Sequence, residues 1–180
     1  MDVWLERDIE IPALRIVTSG CSGGTTFEDV LGVHHRVESN LRITPQQVTA
    51  LMAALSRAAV LYKRAGGMHT AALAEAEDEV RLVCTAEDVG RHNTLDKIAG
   101  ACLRGGQPMR DRILMTSGRV SSEMVNKVAR MGVPIVISPT SPTSLSVQLA
   151  RAWGITLIGY TRRRSFRVFA AAERIVGDGG

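Results

Sequence analysis

Aromatic residues are scarce in this chain: two Trp, two Tyr and three Phe make up 4% of 180 positions. With so few rings the core must be aliphatic. The 45% hydrophobic content, mostly Ala, Val, Leu and Ile, supplies one suited to helices packed on a sheet. No apolar run approaches the roughly 20 residues that a membrane-spanning helix needs. Cysteine is nearly absent as well. Cys21, Cys84 and Cys102 are too few, and odd in number, for a disulfide framework. No Cys-x-x-Cys or His-x-x-x-His spacing occurs, and the adjacent His34 and His35 make a poor metal pair, so no metal, zinc included, is expected. The beginning of the chain, with Asp2, Glu6, Arg7 and Asp8, lacks the basic end and apolar core of a secretory signal. The expected compartment is therefore the cytoplasm, where thiols stay reduced. No membrane or nucleic-acid partner is expected.

What is present is alternation. Ile9–Val17, interrupted by Pro12, reads as an edge strand or extended entry segment, and Thr18–Thr26 as a loop. Thr44, Pro45 and Gln47 form a helix start with a capping box. That helix is predicted to run to about Arg64, with Val48, Leu51, Met52, Leu55, Ala59 and Tyr62 on its buried stripe, and Gly66-Gly67 ends it. His69–Glu75 and Val80–Thr85 read as a hairpin turning at Ala76–Glu79. Helices are predicted over Asn93–Leu103, Ser121–Met131 and Thr143–Trp153. Strands are predicted over Arg112–Thr116, Val133–Ser138, Ile155–Tyr160 and Ser165–Ala170. This is the pattern of an α/β protein, a mixed sheet covered by helices. One domain over 18–172 is expected, preceded by a short segment, 1–17, and followed by a tail, 173–180.

Polar residues collect where strands run into helices. The densest group is Glu87-Asp88-Val89-Gly90-Arg91-His92-Asn93-Thr94-Leu95-Asp96-Lys97. It reads either as a solvated loop with a capped helix or as one wall of a ligand crevice. Ser117-Gly118-Arg119-Val120-Ser121-Ser122-Glu123 has the make-up of an anion cradle: a Gly for close approach, a helix start and an Arg. Pro142-Thr143-Ser144 starts a helix in a similar way. With Arg91, His92 and Asn93, these loops suit a phosphorylated or nucleotide-like ligand. The net charge of +4 is weighted toward Arg162, Arg163, Arg164 and Arg167, which read as an anion site or a solvated basic face. His69, at a strand start, is a site residue or a packed histidine. Cys84 and Cys102 fall in apolar elements and read as small core residues. Cys21, among Gly, Ser and Thr, has nothing to pack against and can act as a nucleophile or sulfur carrier.

Taken together, Glu87–Asn93 with Asp96-Lys97, Ser117–Met124, Pro142–Leu145, Gly66-Gly67-Met68-His69 and Gly159-Tyr160-Thr161-Arg162 resemble the FdhD family, the formate dehydrogenase accessory sulfurtransferases. The resemblance implies a three-layer α/β/α sandwich of the cytidine-deaminase-like type, without that fold's zinc signature. It also implies a sulfur carrier. Sulfur is taken from a cysteine desulfurase, held as a persulfide on the loop cysteine matching Cys21, and delivered to the bis-molybdopterin guanine dinucleotide cofactor of formate dehydrogenase. The family's cofactor-binding stretch matches Tyr160, Thr161, Arg162, Arg163, Arg164 and Ser165. The crevice expected from the resemblance adds His69, Arg91, His92, Asn93, Ser117, Gly118 and Arg119, with guanosine diphosphate as a mimic. A homodimer is the expected assembly. Two departures stand out. Only Cys21 remains of the family's frequent Cys-Gly-x-Cys-Gly loop. The family's N-terminal β-rich region is also largely missing before Ile9, which leaves a short form or a fragment. The alternative is a non-catalytic binding chaperone for the molybdenum cofactor or a guanine nucleotide. A hydrolytic deaminase would need a metal-bound water that this sequence has no ligands to hold.

Overall fold

The computed structural model describes residues 16–17, 25–26, 36–77, 79–163 and 165–177. β1 (Ile16–Val17) and β2 (Thr25–Thr26) pair antiparallel as a small ribbon, so the segment expected to be all loop ends in a strand. Cys21, between them in sequence, and His34 and His35, after β2, lie outside the described residues.

The main sheet has six strands in the order β4-β3-β5-β6-β7-β8. They are β3 (His69–Ala76), β4 (Val80–Asp88), β5 (Ile113–Thr116), β6 (Ile135–Ile137), β7 (Thr156–Gly159) and β8 (Arg167–Ala170). β5, β6 and β7 run parallel, while β3 opposes both β4 and β5, and β8 opposes β7. The carboxyl ends of β4 to β7 and the starts of β3 and β8 therefore share one edge of the sheet.

Strand alternation splits the core in two. Ala72, Ala74, Ile113, Met115, Ile135, Ile137 and Ile158 face α1 (Pro45–Ala58), which contributes Val48, Leu51 and Leu55. Ala71, Leu73, Leu114, Val136 and Leu157 face α3 (Arg91–Arg104), α4 (Ser122–Met131) and α5 (Ser144–Ala152). Each fully buried Leu or Ile in these layers contributes about 1.5–3 kcal/mol. The result is the expected sandwich: a mixed sheet between helical layers.

Helix starts follow local chemistry. Thr44 Oγ1 accepts the Gln47 amide at 3.2 Å, and Gln47 Oε1 accepts the Thr44 amide at 2.8 Å. Ser121 and Thr143 cap α4 and α5 with one bond each, their hydroxyls accepting the Met124 and Ser146 amides.

The first long helix departs from expectation. It stops at Ala58, and a separate α2 (Val60–Ala65) begins after Ala59, whose ψ of 72° breaks the helix. In a continuous helix the amides of Leu61 and Tyr62 would bond to carbonyls four residues back. Here the Glu87 carboxylate takes both, at 2.7 and 3.0 Å. Tyr62, placed on the buried stripe by its spacing, is 54% exposed.

Two ends also differ. β4 continues through Glu87 and Asp88, and α3 starts at Arg91 rather than Asn93. Beyond β8, a single helical turn, Ala172–Arg174, leads to a bridge between Ile43 and Ile175. Buried Arg174 donates to the Gly154 carbonyl at 2.8 Å, so the chain is tied into the domain as far as Val176. Among the described residues, no helix is long and apolar enough to cross a membrane, and no cluster of His, Cys, Asp or Glu is arranged to hold a metal.

Candidate functional site at the carboxyl edge of the sheet

At the edge where the parallel strands end, on the side of α1 and α2, a cleft of about 850 Å³ opens. That falls within the range of ligand pockets, about 300–1000 Å³. Strand ends, loops and two helices meet there. β3 and the β5 end supply His69, Thr70 and Ser117; the loops after β6 and β7 supply Pro139, Thr161, Arg162 and Arg163; α1 and α2 supply Met52, Arg57, Tyr62 and Lys63.

The charge is of one sign. Arg57, Lys63, Arg162 and Arg163 line the cleft, and no carboxylate among the described residues does. None of the four enters an ion pair among the described residues. Lys63 donates to the Arg57 carbonyl at 3.1 Å and Arg162 to the Pro139 carbonyl at 2.8 Å, neutral partners that leave both charges uncompensated. Such a surface favours an anion, and guanidinium groups favour phosphate in particular.

The turn after β7 shows how the arginines reach it. Gly159 is packed so closely that a Cβ would stand 2.9 Å from the Thr140 carbonyl oxygen. Tyr160 follows with φ of 51°, a left-handed conformation unusual for a bulky residue. This reversal turns the Tyr160 ring toward Phe169 and Arg167, 6.1 and 5.6 Å from its centroid, and sends Thr161, Arg162 and Arg163 to the cleft. The Arg162 amide then donates to the Ser165 carbonyl at 2.7 Å, closing the loop.

His69 sits among hydroxyls. Ser117 Oγ accepts the Thr70 amide at 3.0 Å and lies 3.4 Å from His69 Nδ1. Burial first, and the Arg91 guanidinium second, lower the imidazole's pKa, so the ring is neutral at pH 7. Arg91 reaches this place from the start of α3 by crossing Gly118, and its Nε is buried with no hydrogen-bond partner in the described protein.

Of the residues expected at the site, the structure brings His69, Ser117, Thr161, Arg162 and Arg163 to the cleft, with Gly118 and Arg91 behind them. It does not bring His92, Asn93, Arg119 or Tyr160 there. His92, buried on the far face, pairs with Ser121 Oγ at 3.0 Å and Glu123 at 3.2 Å, fixing α3 to the start of α4. Asn93 donates to Asp88 at 3.0 Å. Asp88 also accepts the Gly90 amide and pairs with Lys97 at 2.5 Å, and Lys97 foremost among these holds its carboxyl down to about 2. Asp96 pairs with Lys127 of α4. The polar run of residues 87–97 is thus mostly a strut between elements. Arg119 is exposed outside the cleft, Ser165 takes part only through its carbonyl, and Arg164 lies outside the described residues.

Cys102 is buried, its thiol raised by burial and then by neighbouring Cys84, so both read as packing residues. Neither lines the cleft. Sequence reasoning missed Arg57, Tyr62, Lys63 and Thr70. Thr70 could have been found as the neighbour of His69; the other three carry no motif and meet the site only through helix docking.

Comparison with known proteins gives the family. A family model described as the FdhD/NarQ family matches residues 4–176. The sulfur carrier protein FdhD of Bacillus subtilis (strain 168) is 40% identical over 164 residues, covering 89% of this chain and 61% of that protein. The sulfur carrier protein FdhD of Thermoplasma acidophilum is 38% identical over 164 residues, 90% of this chain and 57% of that protein. The crystal structure of a putative formate dehydrogenase accessory protein from Desulfotalea psychrophila superposes with a TM-score of 0.73 at 33% identity, covering 82% of this chain and 62% of that one. The chain therefore spans about three fifths of the length of these relatives. With the family model matching residues 4–176 and relatives 38–40% identical over about nine tenths of its length, the chain belongs to the FdhD/NarQ family.

Proposed function

We propose that this chain is a sulfur carrier that serves formate dehydrogenase, and that the cleft binds the nucleotide end of its cargo, the bis-molybdopterin guanine dinucleotide cofactor. The observation that carries the reading is the cleft itself, where, among the described residues, four cations and no carboxylate surround a pocket of nucleotide-sized volume at the carboxyl edge of the sheet. Arg57, Lys63, Arg162 and Arg163 would hold phosphates. Neutral His69, Thr70, Ser117 and Thr161 would offer hydrogen bonds to sugar or base. The names of the relatives support the sulfur-carrying role.

Sulfur would be carried on Cys21, since neither Cys84 nor Cys102 lines the cleft. A cysteine desulfurase would load Cys21 as a persulfide, and the outer sulfur would pass to the cofactor. The test is intact mass after incubation with a desulfurase and cysteine. One added sulfur on the wild type and none on Cys21→Ala is expected; no addition, or equal addition to both, overturns it.

A second reading has one observation in its favour: no thiol lines the cleft among the described residues. In that reading the chain binds the cofactor without handling sulfur. Complementation separates the two. If Cys21→Ala restores formate dehydrogenase activity in cells as well as wild type does, the binding chaperone is correct.

A further inference from the structure

α2 lines the cleft without being held by the apolar core. None of its six residues is buried, yet Tyr62 and Lys63 line the cleft. A helix this short does not persist by itself. Its N-cap is Ala59, which has no side chain able to take an amide, and at its other end Gly66 and Gly67 have φ of 66° and 64°. What holds it is a carboxylate from another element. Glu87, at the end of β4, accepts the Leu61 amide through Oε2 and the Tyr62 amide through Oε1, which also accepts the Thr70 hydroxyl at 3.1 Å. The carboxylate thus satisfies two orphan amides, places negative charge at the positive end of α2, and ties both to a cleft residue of β3. Glu87 is fixed in turn, because its carbonyl accepts Lys97 Nζ at 3.0 Å.

We propose that Glu87 is a positioning residue for the cleft: it anchors α2 to β3 and so holds Tyr62 and Lys63 over the ligand without touching it. The affinity part of this inference rests on the cleft being a guanine-nucleotide site; the anchoring part does not.

The test uses Glu87→Gln in the 180-residue chain. Glutamine keeps the shape, but it removes the charge and turns an amide group toward the Leu61 amide or toward the Tyr62 amide and the Thr70 hydroxyl. Amide hydrogen exchange in α2 is expected to quicken about tenfold or more, with α1 and β3 unchanged. Guanosine diphosphate affinity by calorimetry is expected to fall about tenfold with little change in thermal midpoint. In a Lys63→Ala background, the further loss from Glu87→Gln is expected to shrink to about threefold, the part that remains acting through Tyr62, because Lys63 is one of the two cleft residues that the anchor holds. Unchanged α2 exchange overturns the proposal. So does an affinity loss that is undiminished in the Lys63→Ala background. If the wild type binds no guanosine diphosphate, the nucleotide reading fails, and the exchange measurement alone decides the anchor.

Discussion

Arg91 crosses Gly118 so closely that a Cβ on Gly118 would lie 3.0 Å from the Cβ of Arg91 and 3.1 Å from its Cδ. The same added atom would stand 3.3 Å from His69 Nδ1. Arg91 is the first residue of α3, so its Cβ cannot retreat without moving the helix. The absence of a side chain at position 118 is what lets the start of α3 reach the end of β5 and place a guanidinium beside His69.

Gly118→Ala should therefore destabilise the protein by about 1–3 kcal/mol, the usual cost of overpacking. In a chain of this length the thermal midpoint falls by about 2–4 °C for each kcal/mol. The His69 resonance in a proton NMR titration should also move to higher pH, because displacing Arg91 removes one of the two influences that lower it. A variant as stable as wild type, with His69 titrating as before, would show that the loop accommodates the methyl group freely.

Stability should fall on mild acidification. His69 and His92 both bind their protons more weakly in the folded chain than at the ordinary value of 6.5. For His92, burial is the main cause and Arg91 the second, with Glu123 opposing. The unfolded chain thus binds more protons as pH drops below about 6.5, so stability present above that pH is lost as pH falls through the folded values. Urea midpoints at pH 7.5 and 5.5 should show the loss, and His92→Asn, which cannot charge, should reduce it. Equal acid losses in the variant and wild type would remove His92 from the explanation.

The capping box of α1 separates two contributions. Thr44→Ala removes one cap bond and should cost about 1 kcal/mol. Gln47→Ala should cost more, about 2 kcal/mol, because Gln47 Nε2 also donates to the Ala76 and Glu77 carbonyls at 3.2 and 2.9 Å, tying α1 to the β3–β4 turn. Equal costs in denaturant titrations would mean that the link to the turn contributes nothing.

The elements whose causes are local were legible in the sequence. Thr44, Ser121 and Thr143 announce their helices because each cap bonds within three residues. The break at Ala59 was not legible, since the carboxylate that takes the amides freed there belongs to Glu87, 28 positions further along the numbering and on another element. The run from Glu87 to Lys97 stood out by composition, and its importance is real. Composition, though, cannot say whether a carboxylate or an imidazole faces a ligand or another helix. His92 and Asp96 face α4, Asp88 faces Lys97, and only Arg91 and Glu87 act near the cleft. Lys63 and Arg57 were hidden for the opposite reason. They lie off the apolar stripe that helical spacing marks, and docking of α1 and α2 on the sheet edge makes them part of the cleft lining.

The two cleft arginines after β7 should not be equivalent. Arg162 is held: its Nη1 donates to the Pro139 carbonyl at 2.8 Å, so its charge stands in one place before any ligand arrives. Arg163, exposed as Arg162 is, makes no such bond among the described residues. A preorganised cation loses less freedom on binding and contributes more. Arg162→Ala should weaken guanosine diphosphate binding about tenfold, and Arg163→Ala by about threefold. Arg162→Lys should not recover the loss, since an ammonium cannot hold the Pro139 carbonyl and offer a second planar donor pair to phosphate. Calorimetry at two salt concentrations adds a check, because removing either charge should flatten the fall of affinity with salt. If the lysine variant binds as tightly as wild type, charge alone is at work and the Pro139 bond has no part in recognition.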